Sequence, residues 1–177
     1  IQDRSLNTYT HFSKMLAFSK FNSMPTINTI VRLHDGRILM GSFTSGYYEY
    51  SKERPINERV KLYRQNNTPW LMNERVFSII EDHYGNCWFG TKSGLSRCDK
   101  DRRGFAFTHF IVDGVDISNN SFQCLKEQGD QYIWAGTSDE GLVRISNYKG
   151  DLAHMNFKLY TLNNKKLNSN DVQCIYA

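Results

Sequence analysis

One segment of the chain recurs at a nearly fixed interval, and this internal repeat restricts the possible folds more than any other feature. Residues 27–42 align without a gap with residues 76–91, and a third copy covers residues 122–137. The anchoring glycines of the three copies are Gly41, Gly90 and Gly136, which are 49 and then 46 residues apart. A period of roughly 20–50 residues indicates a solenoid, a propeller or a similar array of repeats.

Each copy predicts four short β-strands. In the first copy they are expected at residues 27–33, 37–42, 46–51 and 60–64, with equivalents in the later copies. Asp35-Gly36 and Gly85-Asn86 favour hairpin turns, because Gly and Asn accept positive φ at low cost. The sequence has no sustained period of about 3.6 residues that would indicate helices. A unit of this length with four antiparallel strands is typical of a propeller blade.

The predicted fold is therefore all-β, a partial β-propeller of about three and a half blades. We expect the end of a preceding blade with a linker at 1–26, blades at 27–75, 76–121 and 122–171, and the first strand of a further blade at 172–177. A closed four-bladed ring is the alternative, in which residues 1–12 pair with residues 172–177. The high aromatic content, 14%, and the 12 Gly against 3 Pro suit repeated sheets with glycine turns.

Several motif residues are expected to be structural. Trp88 and Trp134, with Leu39 in the same place, supply bulk for the contact between blades, and the glycine two residues later leaves room for the neighbouring sheet. The structural set is Asp82, Gly85, Trp88, Gly90, Thr91, Gly94, Trp134, Gly136, Thr137 and Gly141.

Charge and spacing exclude several classes of function. The 22 Lys and Arg residues against 18 Asp and Glu are scattered, so we expect no contact with nucleic acid. No apolar run approaches the roughly 18 residues of a membrane span. The four cysteines lack C-x₂-C spacing, and no His, Asp or Glu set has ligand spacing, so neither a metal nor a cofactor is expected.

The cysteines are predicted to be thiols. Cys87 and Cys98 should face each other across a hairpin, where β-carbons lie about 4.5–5.5 Å apart, wider than the roughly 3.8 Å that a disulfide prefers. Two buried thiols are therefore favoured over a bond. Cys124 and Cys174, which occupy equivalent positions of neighbouring copies, are expected to be free.

Catalytic motifs are incomplete. Residues 85–93 differ from a phosphate-binding loop, because Thr91 stands where Lys should follow Gly90 and no helix follows. The spacing of Asp82 and Gly85 also differs from an Asp box by one residue. A glycosidase needs a pair of placed carboxylates, whereas Glu81 and Asp82 are adjacent in a strand and point to opposite faces. We therefore expect no catalysis from this chain.

The second copy resembles the two-component-regulator propeller repeat. It reads Glu81-Asp82-x-x-Gly85-Asn86-x-Trp88-Phe89-Gly90-Thr91-x-x-Gly94-Leu95-x-Arg97-x-Asp99. The third copy keeps most of this pattern, and the first is weaker, with Leu39 for Trp and Tyr47 for Leu. Proteins of that family, familiar from gut Bacteroidetes, are hybrid two-component sensors.

The resemblance implies an architecture and a function. The extracytoplasmic half of such sensors has two seven-bladed propellers and a β-sandwich, followed by a membrane helix, a histidine kinase core, a receiver and a DNA-binding domain. It thus implies a periplasmic, dimeric receptor that detects an oligosaccharide and controls polysaccharide-utilisation genes. The alternatives are a propeller enzyme, namely a polysaccharide or streptogramin-type lyase or a glycosidase, and a non-catalytic scaffold.

Ligand contacts are expected from loops on one face of the propeller. The loops that join successive blades, at 65–75, 112–121 and 163–171, share this face with the middle turns, and loops on a rigid scaffold often carry recognition. An aromatic platform with polar partners favours sugar binding. The predicted ligand-binding residues are Trp70, Asn73, Glu74, Arg75, Lys92, Asp139 and Glu140.

Overall fold

Three four-stranded antiparallel sheets follow one another along the chain. The computed structural model describes Gln2–Asp3, Thr8–Tyr9 and residues 25–176. The first two segments form strands β1 and β2, which pair antiparallel with Gln2 opposite Tyr9. Apart from these strands and residues 25–26, the predicted end of a preceding blade at 1–26 lies outside the described residues.

Each sheet is a simple meander, with strands ordered as in the sequence. The first blade contains β3 (Ile27–Arg32), β4 (Ile38–Ser42), β5 (Tyr47–Tyr50) and β6 (Val60–Tyr63). The second contains β7 (Val76–Glu81), β8 (Cys87–Thr91), β9 (Gly94–Cys98) and β10 (Gly104–Ala106). A hairpin of β11 (Ile111–Val112) and β12 (Val115–Asp116) precedes the third blade.

The third blade contains β13 (Phe122–Gln128), β14 (Tyr132–Thr137), β15 (Leu142–Ser146) and β16 (Asn156–Tyr160). A short 3₁₀ helix, Leu152–His154, lies between its last two strands. The prediction of an all-β fold built from four-stranded antiparallel blades is confirmed. In the first blade, each strand begins and ends within one residue of the predicted position, because glycine turns fix the ends.

Every inner strand has a bulge at the same point. The register shifts between Ile27 and Thr29 in β3, between Val76 and Ser78 in β7, and between Phe122 and Cys124 in β13. A bulge adds one residue to a strand and bends it away from the regular ladder. The first residues of each inner strand therefore bend away from the sheet, at the end that follows the loop from the preceding blade.

The glycine that recurs in each copy lies at a close contact between blades. A β-carbon at Gly90 would lie 2.5 Å from the Ser78 Oγ atom and 2.6 Å from the Phe122 carbonyl oxygen of the third blade. A β-carbon at Gly41 would likewise contact Thr29 and Val76, and one at Gly136 would contact Cys124 and Val172. These glycines therefore lie where a neighbouring blade approaches closely, which supports the prediction that they make room for its sheet.

Residues 171–176 form no strand, which differs from the strand predicted at 172–177. A strand is held by the ladder of a neighbouring strand, and among the described residues no strand forms a ladder with this segment. Val172 still packs at Gly136, as Phe122 packs at Gly90, and its N–H donates to the Thr137 carbonyl at 2.8 Å.

Aromatic rings fill the space between blades. Between the second and third blades, Trp88 is fully buried and lies 5.9 Å from Phe107 and 6.2 Å from Tyr148, measured between ring centroids. Between the first and second blades, Tyr47 lies 4.8 Å from Phe89. These contacts form two separate core clusters, one at each interface.

A buried ion cluster also joins the first two blades. The Glu49 side chain, 1% exposed, accepts hydrogen bonds from Arg54 and Arg102 and from Arg37 at 2.9 Å. Arg102 belongs to the second blade and also lies 3.7 Å from the Cys87 sulfur and 3.8 Å from the Cys98 sulfur. The cluster therefore links the carboxylate of one blade to the cysteine pair of the next.

Cys87 and Cys98 are directly opposed in the β8–β9 register, buried and unbonded, as expected. The hydrogen bond between the two thiols, together with burial, raises the pKa of Cys87 well above its usual range. The same hydrogen bond, aided by Arg102, lowers the pKa of Cys98. Cys124 and Cys174 are also free thiols.

Candidate functional site

The loops between blades and the middle turns meet along one edge of the sheets, here called the upper rim. It comprises the loops 65–75, 112–121 and 163–171 and the turns 43–46, 92–94 and 138–141. The opposite edge, the lower rim, comprises the remaining turns at 34–37, 83–86 and 129–131 and at 51–59, 99–103 and 147–155.

Repeated backbone hydrogen bonds hold the upper rim together. The N–H of the turn glycine in each blade donates to a carbonyl of the following loop: Gly46 to Glu74 at 2.7 Å, Gly94 to Asn120 at 2.8 Å and Gly141 to Asn170 at 2.9 Å. All three glycines have positive φ, between 76° and 105°. Residues with a side chain rarely adopt this backbone conformation. The turn glycines therefore fix the position of each loop backbone.

A polar cleft of about 500 Å³ lies on the upper rim between the second and third blades. Its walls are a turn from each blade and the loop that joins them. The lining residues are Lys92, Ser93, Asp116, Asn119, Asn120, Ser121, Ser138 and Asp139. The structure thus brings together two of the predicted residues, Lys92 and Asp139, and adds amides and hydroxyls that were not singled out from the sequence.

The cleft presents both donors and acceptors. Asp116 accepts from the Ser118 hydroxyl at 2.6 Å and from the Ser118 N–H at 2.9 Å, and these bonds lower the pKa of Asp116. Asp139 accepts from the Ser138 hydroxyl at 2.6 Å through one oxygen. Among the described residues, the Lys92 ammonium and the Asn119 amide have no hydrogen-bond partner. Such a surface suits a ligand rich in hydroxyl groups.

An aromatic patch lies beside the cleft, and sequence reasoning missed it. Phe43 in the turn of the first blade and Phe77 at the bulge of β7 have ring centroids 6.0 Å apart. The Arg75 guanidinium carbon lies 5.3 Å from the Phe43 centroid. Phe43 is 40% exposed, so part of the ring faces solvent. A usable signal was the position of Phe43, immediately after the Gly-Ser that begins a rim turn.

Trp70, the predicted ligand platform, is partly buried and packs between blades. Its ring packs on Gly104, where a β-carbon would lie 2.5 Å from the indole Cδ2 atom, and its centroid is 5.3 Å from that of Phe89. The indole N–H donates to the Arg102 carbonyl at 3.2 Å. The indole is thus used mainly in packing between the first and second blades.

The other predicted residues position the rim rather than line the cleft. The Asn73 side-chain oxygen accepts from the Arg75 N–H at 2.9 Å, which fixes the backbone beneath the aromatic patch. The Glu74 carbonyl accepts from the Gly46 N–H at 2.7 Å. Glu140 lies next to Asp139, and its N–H donates to the Thr137 hydroxyl at 3.0 Å.

A second cleft, of about 540 Å³, lies on the lower rim. Tyr84, Tyr132 and Tyr148 line it, and each of them already contacts another side chain of the protein. The Arg144 guanidinium lies 4.7 Å from the Tyr132 centroid, and the Lys149 ammonium lies 5.4 Å from the Tyr84 centroid. The Tyr148 hydroxyl donates to Glu127 at 2.8 Å, and burial raises the pKa of Tyr148. We therefore regard this cleft as a junction between blades.

The described residues contain neither a cluster of metal ligands nor a membrane-spanning helix. In the described part of the chain, no three His, Cys, Asp or Glu side chains are grouped closely enough to hold a metal ion. Over the same residues, no helix has the length and apolarity needed to cross a membrane.

Residues 71–93 match the family model described as the two component regulator propeller. The fold is similar to the extracellular domain of BT3049 from B. thetaiotaomicron, which is assigned as a hybrid two component system. The TM-score is 0.67 at 20% identity, over 99% of this chain and 20% of that one. For BT4673 of the same organism, the TM-score is 0.69 at 16% identity, over 96% and 24% of the two chains.

A more distant likeness is to virginiamycin B lyase from Staphylococcus aureus, with a TM-score of 0.54 at 16% identity, over 80% and 44% of the chains. No curated protein matches the sequence. The chain spans only about a fifth to a quarter of the two Bacteroides domains. The resemblance found in the sequence is confirmed: residues 71–93 match a two-component regulator propeller repeat, and the fold is similar to that of extracellular domains of hybrid two component systems.

Proposed function

We propose that this chain is a ligand-sensing propeller segment of a hybrid two-component sensor. It detects an oligosaccharide in the periplasm and thereby controls polysaccharide-utilisation genes. The parent protein is a histidine kinase, and this segment contributes binding rather than catalysis. The blades at 27–75, 76–121 and 122–171 belong to a seven-bladed propeller, whose remaining blades and a β-sandwich lie in the same polypeptide, and the receptor is a homodimer.

The observation that carries this proposal is the polar cleft of the upper rim. Sugar hydroxyls both donate and accept hydrogen bonds, and the cleft offers an ammonium, two carboxylates and five amide or hydroxyl groups without deep burial. Because the cleft is built from two blades and their connecting loop, a bound ligand contacts both blades. Binding therefore favours one relative placement of the blades, which is how a receptor ectodomain shifts between states.

The proposal is tested by titrating the complete receptor ectodomain with plant and host oligosaccharides in a calorimeter. We expect heat of binding with one class. The variants Lys92→Ala and Asp139→Asn should weaken that binding by about tenfold each, since each removes a hydrogen bond to a charged group.

Matched controls are Lys100→Ala and Asp130→Asn, which change exposed residues of the same charge on the lower rim. Both should bind like the parent protein. Turnover of a saccharide, or of a cyclic peptide antibiotic, by the ectodomain would instead favour a lyase or hydrolase. Absence of binding and of turnover with every compound would leave the scaffold hypothesis.

A further inference from the structure

The aromatic patch gives the proposed ligand site a second part. Resting on the proposed function, we infer that the ligand is an oligosaccharide long enough to occupy two subsites: the polar cleft, and a stacking subsite formed by Phe43, Phe77 and Arg75. The cleft takes one sugar unit by hydrogen bonding, and the patch takes another by contact with its apolar C–H face. A monosaccharide fills only the first subsite.

The two subsites are contiguous. The Lys92 N–H donates to the Arg75 carbonyl at 2.9 Å, so the residue that lines the cleft is bonded to the residue that covers the patch. Asn73 fixes the same backbone through the Arg75 N–H. One backbone hydrogen bond therefore joins the cleft wall at Lys92 to the patch at Arg75.

The chemistry of the patch fits a pyranose ring. Such a ring has apolar C–H faces and hydroxyls around its edge, so it needs an aromatic surface with donors beside it. Phe43 is held in place by its N–H, which donates to the Thr26 carbonyl at 2.9 Å, yet the side chain is 40% exposed. Among the described residues, the Arg75 guanidinium has no hydrogen-bond acceptor, so its donors are available to hydroxyls.

The patch also differs from ordinary packing. Phe43 belongs to the first blade and Phe77 to the second, with tilted rings 53° apart. The adjoining cleft belongs to the second and third blades. An oligosaccharide on both subsites thus touches three successive blades, whereas a ligand in the cleft alone touches two.

A length series tests this inference. The complete ectodomain is titrated with the mono-, di-, tri- and tetrasaccharide of the class that binds. We expect the affinity to rise by about tenfold or more at the length that reaches the patch, which corresponds to one aromatic contact. Phe43→Ala should remove this gain, lowering affinity for the long oligosaccharides to that of the short ones and leaving the short ones unchanged.

Arg75→Ala provides a second variant, with a smaller loss confined to the long oligosaccharides. The control is Ile56→Ala, an exposed apolar residue, 58% exposed, on the lower rim. Equal affinity at all lengths, or equal weakening of short and long oligosaccharides by Phe43→Ala, would overturn the stacking subsite while leaving the proposed function intact. No binding at any length would instead refute the proposed function.

Discussion

At the scale of single residues, Asp82 explains why the repeat motif has its spacing. Its fully buried carboxylate accepts hydrogen bonds from the Tyr84 N–H at 3.0 Å, from Asn86 through backbone and side chain, and from the Trp88 indole at 2.8 Å. A buried carboxylate is tolerated when its oxygens are satisfied in this way. In the third blade, Gln128 takes the same place and accepts from the Trp134 indole at 2.7 Å.

The close approach at Gly90 leads to a stability prediction. Gly90→Ala should lower the free energy of unfolding by about 1–3 kcal/mol, because the new methyl group meets backbone of the neighbouring blade and neither side can move freely. Urea unfolding measures the change. Gly150→Ala is the matched control, since nothing lies within 4 Å of its β-carbon position, and it should change stability by less than about 0.5 kcal/mol. Equal effects of the two substitutions would contradict the packing role.

At the scale of elements, the Glu49 cluster shows how charge joins two sheets. Burial would raise the pKa of Glu49, but Arg102, Arg54 and Arg37 outweigh this and hold it below the ordinary value of 4.5. Three guanidinium groups around one carboxylate make the carboxylate indispensable to the interface. Removing it leaves the largely buried guanidinium groups of Arg54 and Arg102 without a carboxylate partner, which is strongly destabilising.

Glu49→Gln should therefore lower the free energy of unfolding at pH 7 by about 3–5 kcal/mol. Because the folded pKa of Glu49 is depressed, its stabilisation is present above pH 4.5 and is lost as the pH falls through the folded pKa. Urea unfolding should show that, between pH 7 and about pH 2.5, the free energy of unfolding falls more steeply for the parent than for the variant.

The control for this series is Glu53→Gln, whose side chain is exposed and forms only a 3.7 Å surface pair with Lys52. It should have the same free energy of unfolding as the parent and the same dependence of that free energy on pH, since exposed ion pairs contribute little. If the free energy of unfolding fell equally with decreasing pH for Glu49→Gln and for the parent, the Glu49 cluster would not contribute to the pH dependence of stability.

The sequence predicted the elements better than the site. Strand ends were predictable because glycine turns and the period are local features, and Lys92 and Asp139 followed from their place in the middle turns. The packing of Trp70 could not be predicted from the sequence because it depends on Gly104, a partner 34 residues away. Phe43 was overlooked because an aromatic residue next to a strand has the same local pattern whether it is buried or exposed.

At the scale of the whole molecule, stability should vary between blades. The second blade packs against a sheet on each face, and every residue of β8 is buried, whereas most residues of β16 are not. In repeat proteins each unit is stabilised by its neighbours. Hydrogen exchange should therefore be slowest in β8 and β9 and fastest in β16. Equal protection of β8 and β16 in exchange measured by mass spectrometry would refute this gradient.

The hydrogen bonds from the turn glycines have a consequence for how the specificity of the proposed ligand site changes. They tie the loop backbone at Glu74, Asn120 and Asn170 without using any side chain of the loops. The residues that meet a ligand can therefore be exchanged one at a time while the chain path beneath them stays the same. A new preference can arise by point substitution on an unchanged framework, with no insertion and little loss of stability.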